Sequence, residues 1–268
     1  MESGKLGLFD DSEKSKPRRR KWPAWAFLIA IIASNHFYLK FKEMGRRVSY
    51  FYFETHVSGL DLKPRYKLST DKPEGWLDLH EVSLAARKAI LVSEDDRFYQ
   101  HNGLDLVQIK AALRESFVHG KRLRGASTIS QQLVKNLYLS SDRNIFRKLI
   151  ELVIVLEMEE LATKDKILET YLNVIEYGEG IYGIKAAAEH YFQKDAGELS
   201  SREGAFLAML LPNPKLNGES WDIKALTPFA RSAMRRILVR LHRSGQISRF
   251  EYLASLKERF HWEAVPDI

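Results

Sequence analysis

Two stretches decide how this chain is interpreted: Glu94-Asp95-Asp96-Arg97-Phe98-Tyr99-Gln100-His101-Asn102-Gly103-Leu104-Asp105 and Gly125-Ala126-Ser127-Thr128-Ile129-Ser130-Gln131-Gln132-Leu133-Val134-Lys135-Asn136. The first offers a carboxylate that can take a proton, and the second offers a polar, cationic strip that can hold an anion. Neither composition is needed to build a hydrophobic core. The pair therefore points to chemistry rather than to packing.

The composition sets the broad class. The 268 residues, 45% of them hydrophobic, can fold as one large domain or two small ones. A net charge of +7 indicates an anionic partner, either nucleic acid, an acidic lipid surface or a phosphorylated substrate. The chain contains no cysteine, which excludes disulfides, thiolate metal sites and cysteine nucleophiles.

The N-terminal region predicts a membrane anchor. A basic tail over residues 1–21 precedes Trp22–Leu39, an apolar stretch with aromatic residues at both ends. As a helix this stretch would be about 27 Å long, close to the ~30 Å hydrocarbon core of a bilayer. Basic residues are denser before it than after it, which predicts a cytoplasmic N-terminus. The alternative is an interfacial or buried helix, because Ser34, Asn35 and His36 shorten the apolar part.

The rest of the chain divides into a neck over residues 40–77 and a domain over residues 78–268. Aromatic and β-branched residues predict a strand at Val48–Phe53 within the neck. From Asp78 the pattern is helical, and Asp78 with Glu81 forms a capping-box signature. The segments with helical periodicity after Glu94 are Leu104–Val118, Thr128–Leu139, Ile145–Leu161, Lys164–Leu172, Ile184–Phe192, Ser201–Leu211 and Phe229–His242. The soluble part is therefore predicted to be mainly α.

Glu94 is the candidate general base. It follows an apolar helix and precedes Asp95 and Asp96, and partial burial beside like charges raises the pKa of a carboxyl group. A solvated acidic turn or a cation-holding cluster is the alternative. His101 is expected to be structural, and Gly103 is expected to adopt a backbone conformation that other residues resist.

The second stretch predicts an anion site. A basic loop leads to Ser127 and Thr128, either of which can cap a helix whose free N–H groups favour anions. On that helix a buried apolar stripe leaves Gln131, Gln132 and Lys135 on another face. These side chains are either solvated or line a substrate groove.

Glu151 lies inside a helix that is apolar nearly all round, where an unpaired charge is costly. Arg147, one turn earlier, is its expected partner. A buried structural ion pair and a second catalytic carboxylate both fit this pattern. The chain contains no metal-binding motif, P-loop or dinucleotide fingerprint.

These motifs together resemble one family, the peptidoglycan glycosyltransferases that polymerise lipid II, and in particular their membrane-anchored, monofunctional form. The resemblance covers roughly residues 78–247, with several motifs in the right order. The matching segments are Glu94–Gly103, Gly125–Asn136, Arg147–Glu151, Lys164–Asn173, Tyr177–Ile184 and Arg235–Arg236.

The resemblance implies a lysozyme-like α-helical fold with a membrane-proximal lobe. It makes Glu94 the base that deprotonates the acceptor sugar, in a transfer that inverts the donor's anomeric centre. Lys135 and Arg143 would neutralise the departing pyrophosphate, and Glu151 would hold those cations or a bridging divalent ion. The residues expected to line the donor groove are Ser127, Gln131 and Gln132.

The resemblance also implies a cellular setting. The chain is expected in the bacterial inner membrane as a single-pass protein with a periplasmic catalytic domain. Its expected partners are lipid II, the growing glycan chain, membrane lipids and cell-division or cell-wall synthesis proteins, with no nucleic acid. A divalent cation, Mg or Mn, is the one cofactor that the resemblance allows, and no organic cofactor is expected. The sequence ends without room for a penicillin-binding domain, which predicts a single activity.

Two other classes compete with this interpretation. A lytic enzyme that cleaves glycan can share a lysozyme-like fold and an isolated glutamate, but it has no pyrophosphate for Lys135 and Arg143 to neutralise. A catalytically silent membrane scaffold would not need Glu94 together with those two cations.

Overall fold

The computed structural model describes residues 24–57, 64–119, 127–139 and 145–263. The chain divides into two compact units, Met1–Tyr38 and Leu39–Ile268. Its described helices are α1 (Ala24–Tyr50), α2 (Leu84–Glu94), α3 (Leu106–His119), α4 (Ile129–Tyr138), α5 (Ile145–Leu161), α6 (Lys164–Val174), α7 (Ile184–Phe192), α8 (Ser201–Leu210), α9 (Pro214–Asn217), α10 (Glu219–Asp222), α11 (Pro228–Arg243) and α12 (Arg249–Lys257). The described strands are β1 (Tyr52–Val57), β2 (Pro64–Ser69), β3 (Glu176–Gly178) and β4 (Ile181–Tyr182). The protein is therefore mainly helical, as the sequence predicted.

The first part of α1 belongs to the first unit. Among the described residues, no helix combines the length and the apolar character needed to cross a bilayer. The span over Trp22–Leu39 therefore remains a prediction. Trp22, Pro23 and the basic tail over residues 1–21 lie outside the described residues.

The strand predicted at Val48–Phe53 was wrong in its first half. Helix α1 continues to Tyr50, and strand β1 begins only at Tyr52. The burial of Val48, with Met44 partly buried one turn earlier, follows the helical period of 3.6 residues rather than the period of two that a strand requires. Aromatic and β-branched residues favour strands, but tertiary burial decided the conformation of residues 48–50.

Strands β1 and β2 form an antiparallel hairpin in the second unit, with Phe53 opposite Leu68. The segment that follows is fastened to α6. The Trp76 indole N–H donates to Glu169 at 3.1 Å, and the Asn173 side chain bonds both the N–H and the C=O of Leu77. The predicted neck therefore includes residues that pack on the helical part of the same compact unit.

Helix α2 carries Glu94 at its C-terminal end. The capping box of Asp78 and Glu81 forms as predicted, but it opens only a short 3₁₀ turn, Leu79–Glu81. Ser83 caps α2 itself, by accepting a hydrogen bond from the Ala86 N–H. Helix α2 then packs closely on α8, where a Cβ on Gly204 would lie 2.6 Å from the Ala86 Cα.

The turn after α2 is held by a glycine and by α4. Gly103 has a φ of +82°, and a Cβ there would lie 2.4 Å from Cγ1 of Val155 on α5. This confirms the special backbone conformation predicted for Gly103. Thr128, the N-cap of α4, donates its hydroxyl to the Gly103 carbonyl at 2.7 Å. The Gly103 turn and the start of α4 are thus joined directly.

The predicted helices from residue 104 onward were confirmed to within a few residues at each end, and Ser200 caps α8 with Glu203 as its capping-box partner. Hairpin β3–β4 and helices α9, α10 and α12 were not predicted from the sequence. Strands of three and two residues are too short to show an alternation of polar and apolar residues.

Candidate active site

Glu94 lies at the junction of α2, α4 and α6. One carboxylate oxygen, Oε2, accepts a hydrogen bond from Gln132 Nε2 at 2.9 Å, and the Ser93 hydroxyl lies 3.3 Å from Oε1. Burial raises the pKa of Glu94 above its ordinary value, and the hydrogen bonds from Gln132 and Ser93 offset part of that rise. The charge of Asp95 raises the pKa further, as predicted, but burial is the larger cause. Glu94 therefore has the environment of a general base.

Gln132 connects Glu94 to α6. Its amide oxygen accepts a hydrogen bond from the Tyr171 hydroxyl at 2.9 Å, while its amide nitrogen donates to Glu94. Tyr171 is fully buried. A second fully buried tyrosine, Tyr177 on β3, is close enough for the charge of Glu94 to raise the pKa of its hydroxyl, after the larger effect of burial.

Asp95 fixes the backbone beside Glu94. It is buried, with Oδ1 lying 3.0 Å from His101 Nε2 and Oδ2 accepting from the Ile129 N–H at 3.0 Å. A carboxylate at a helix N-terminus is stabilised by the free N–H groups there. His101 therefore has the structural role predicted for it, and the end of α2 is tied to the start of α4.

The predicted anion strip lines a cleft of about 170 Å³. The residues around this cleft are Ser127, Gln131, Gln132, Lys135, Arg147, Lys148 and Glu151. Three of these side chains are cationic and one is a carboxylate, which gives the cleft a net positive charge. Because Gln132 both lines the cleft and bonds Glu94, the carboxylate and the cationic surface belong to one site.

Glu151 is buried in the floor of this site and is doubly paired. Arg147 Nη1 donates to Oε2 at 3.0 Å, and Lys148 Nζ bonds Oε1. The predicted pair with Arg147 is confirmed, and Lys148 is an additional partner. Glu151 thereby orders two cations beside the cleft.

The other predicted site residues have distinct positions. Lys135 and Ser127 are exposed at the cleft. Gln131 also lines the cleft, but it is buried and its Oε1 accepts from the Thr128 N–H at 3.1 Å as part of the α4 capping box. The structure thus gives Gln131 a role in starting the helix, and its contact with substrate stays a prediction. Arg143 lies outside the described residues.

Sequence reasoning missed the contribution of Lys148 to the cleft and the contact of Tyr171 with Gln132. A basic residue directly after Arg147 could have suggested the first. Nothing local to residue 171 suggests the second, because the contact joins residues 39 positions apart.

The described residues do not fit a divalent cation. Both oxygens of Glu151 face cationic side chains, which would repel a metal ion. Asp95, His101 and Asp105 are close enough to share an ion, but both carboxylates and His101 Nε2 already have protein partners. Asp95 bonds His101 and Ile129, and Asp105 accepts from two N–H groups of α3 and lies 3.5 Å from the Arg97 Nε.

The size of a cavity alone would point to a different part of the molecule. A cavity of about 680 Å³ lies between strand β1, the Trp76 segment and α7, and it contains none of the predicted site residues. The candidate site is therefore assigned by its chemistry, namely a carboxylate with a raised pKa beside a cationic cleft.

Comparison with known proteins gives a consistent family. Residues 61–241 match the transglycosylase family. A biosynthetic peptidoglycan transglycosylase of Nitrosomonas eutropha is 43% identical over 166 residues, a match covering 62% of this chain and 66% of that protein, just under two thirds of its length. The protein of the same description in Paraburkholderia phytofirmans is 33% identical over 83% of this chain and 94% of its own length. The crystal structure of penicillin-binding protein 1A from Haemophilus influenzae aligns with a TM-score of 0.40 at 21% identity, covering 78% of this chain and 21% of that one.

Proposed function

This chain belongs to the transglycosylase family, and we propose that it is a peptidoglycan glycosyltransferase that polymerises lipid II into glycan strands for the cell wall. One observation supports this proposal above the others. Glu94, a carboxylate with a raised pKa, is joined through Gln132 to a cleft lined by three cationic side chains. A base next to an anion-binding surface suits a transfer whose leaving group is a pyrophosphate.

In the proposed reaction Glu94 removes the proton from a sugar hydroxyl of the acceptor. The hydroxyl oxygen attacks the anomeric carbon of the lipid-linked donor, and the bond from that carbon to the pyrophosphate oxygen breaks. One glycosidic bond forms with inversion, the proton resides on Glu94, and the electron pair leaves with undecaprenyl pyrophosphate. A base whose pKa is raised toward the working pH performs this step well.

The cationic cleft would stabilise the charge that develops on the pyrophosphate. Lys135 is exposed at the cleft, and Arg147 and Lys148 are held beside it by Glu151. Arginine and lysine neutralise phosphate oxygens without any proton transfer. Arg143, predicted from the sequence, would add to this set. The leaving group then departs as an anion.

We propose that the domain meets its lipid-linked substrate and releases its product at the membrane surface. Large apolar side chains are exposed at the C-terminal end of α3 and near the start of α5, with Phe117 86% and Phe146 79% exposed. Exposed apolar side chains of this size are typical of membrane or protein contacts. We propose that they form part of a membrane-proximal lobe of a lysozyme-like domain. Cell-wall or cell-division proteins are further proposed partners.

The proposed location is the bacterial inner membrane. The basic tail over residues 1–21 and the apolar stretch Trp22–Leu39 support a single-pass anchor with a cytoplasmic N-terminus. The catalytic domain would then face the periplasm, where glycan strands are assembled. Four regions follow from this proposal: the tail, the anchor, the neck over residues 40–77 and the catalytic domain over residues 78–268.

The test offers the full-length protein two substrates in parallel, fluorescent lipid II and purified glycan strands, both in detergent. We expect long glycan products from lipid II and no shortening of the strands. A variant with Lys135→Ala should make polymer more slowly, while Lys110→Ala, on α3 and outside the cleft, should behave like wild type. Shortened strands with no polymer would instead indicate a lytic enzyme, and no reaction with either substrate would favour a silent scaffold.

A further inference from the structure

The amide of Gln132 is held from both sides. Its oxygen accepts from the Tyr171 hydroxyl at 2.9 Å, and its nitrogen donates to Glu94 Oε2 at 2.9 Å. A hydroxyl can donate to an amide oxygen, whereas an ionised carboxylate can only accept. Only one orientation of the amide satisfies both neighbours. The three side chains therefore form a directed chain from α6 through α4 to the end of α2.

Tyr171 remains the donor at one end of this chain. It is fully buried, and burial raises the pKa of its hydroxyl well above the ordinary value. The hydroxyl thus keeps its proton over the whole range in which Glu94 titrates. Because the hydroxyl keeps its proton and is buried away from solvent, it can set the orientation of the Gln132 amide.

We propose that Tyr171 is a positioning residue for the general base, acting through Gln132 to keep a hydrogen-bond donor on Glu94. This inference rests on the proposed function of Glu94 and extends it to a residue that does not touch the substrate. Tyr171 holds the amide nitrogen toward the carboxylate, which favours the ionised form that accepts the proton.

Without the hydroxyl, the Gln132 oxygen would lose its buried partner and the amide would be free to rotate. Its oxygen could then face Glu94 and accept from the protonated carboxyl group, which favours the wrong form of the base. The other charged groups that act on Glu94 are Asp95 on the same turn and Arg240 from α11, and Tyr177 from β3 is close enough for the charge of Glu94 to affect it. Tyr171→Phe removes only the hydroxyl and replaces none of these groups, so we assign a shift in titration to the lost hydroxyl.

The test compares Tyr171→Phe with Tyr66→Phe. Tyr66 is a matched control, because its hydroxyl also donates to an acceptor on α6, the Val174 carbonyl at 3.2 Å, but has no bond to Gln132. For Tyr171→Phe we expect the acidic limb of the pH profile of kcat/KM for lipid II to move to higher pH. The loss should be about tenfold on the acidic side, the size of one hydrogen bond to a charged group, and should recover as pH rises.

A purely structural defect would lower activity equally at every pH, and that result, or an unmoved profile, would overturn the proposal. The Gln132→Met background gives a second check, since removing the Tyr171 hydroxyl there should shift the profile no further. An equal shift in both backgrounds would mean that the effect bypasses Gln132.

A measurement without substrate separates this inference from the proposed function. Carboxyl ¹³C NMR of glutamate-labelled protein, with the Glu94 signal assigned by its loss in Glu94→Gln, reports the titration of Glu94 directly. We expect the Glu94 pKa to rise in Tyr171→Phe and to stay unchanged in Tyr66→Phe. A protein inactive on lipid II would refute the proposed function alone, whereas an unchanged Glu94 titration in Tyr171→Phe would refute the inference.

Discussion

Glu94 is balanced between two opposing effects. Burial disfavours its charged form, and the hydrogen bonds from Gln132 and Ser93 favour that form. A fully desolvated carboxylate would hold its proton at neutral pH and could not act as a base, while a fully exposed one would be too weak a base. As pH falls through the raised pKa of Glu94, the ionised fraction decreases. Activity that depends on the free base should therefore be lost on the acidic side.

At Glu151 the expected effect is on stability. Replacing Glu151 by Gln removes the buried carboxylate that pairs with Arg147 at 3.0 Å, and breaking such a pair costs about 3 kcal/mol of unfolding free energy. The matched control is Glu179→Gln, because Glu179 pairs with Lys215 at 2.9 Å on the exposed surface. That variant should change stability far less, because water screens an exposed ion pair. Urea unfolding measures both, and equal losses would contradict the structural role of Glu151.

Some site residues could be identified as candidates from the sequence, and others could not. Three charged residues stood out in the sequence, namely Glu94, Lys135 and Glu151. Each lies in or beside a helix at a position where hydrophobic packing does not require a charge. Neighbours within four residues made each of them a candidate, and the resemblance to the family supplied the role expected of each. The contact of Tyr171 with Gln132 could not be predicted, since it depends on how α4 and α6 pack. Gln131 was predicted as a groove residue, but its position three residues after Thr128 equally fits the capping box that the structure contains.

Among the elements, the turn between α2 and α3 is the part that assembles the site. Asp95 bonds the first N–H of α4, and the N-cap Thr128 bonds Gly103. Gly103 in turn lies against Val155 of α5. The end of α2, the start of α4 and the interior of α5 are thus brought together by one short segment.

We expect Gly103→Ala to disrupt this assembly. The alanine would pay the cost of a positive φ, about 1–2 kcal/mol, and its Cβ would also collide with Val155, which costs a further 1–3 kcal/mol for overpacking. Gly75→Ala is the control, because Gly75 has a φ of +86° but no atom within 4 Å of the added Cβ. Thermal unfolding should show the larger loss for Gly103→Ala. Losses of the same size would mean that the contact with Val155 is unimportant.

Elements with a long apolar repeat were predictable, and those defined by packing were not. The helices α5 and α7 were predicted with the bounds that the structure has. The end of α1 was misassigned because Val48 to Tyr50 favour a strand locally, while the burial of Val48 keeps that turn helical. The hairpin β3–β4 is too short to leave a sequence signal.

At the scale of the whole molecule, the proposal requires contact with lipid through α3 and α5. The chain contains no cysteine, so single cysteines can be introduced and labelled cleanly. We expect fluorophores at Phe117→Cys and Phe146→Cys to be quenched by brominated lipids in proteoliposomes. A label at Phe250→Cys, an equally exposed aromatic on α12, should not be quenched. Equal quenching at all three positions, or none at any, would refute this membrane contact.

The central claim is that Glu94 is the base of a lipid II polymerase, and the rate of polymerisation by Glu94→Gln tests it most directly. The substitution keeps the shape of the side chain and removes the charge, so the folded variant should lose at least the ~100-fold typical of a general base. Glu160→Gln, at an exposed glutamate on α5, is the control and should retain the wild-type rate within about twofold. A folded Glu94→Gln protein that polymerises lipid II at close to the wild-type rate would contradict the account.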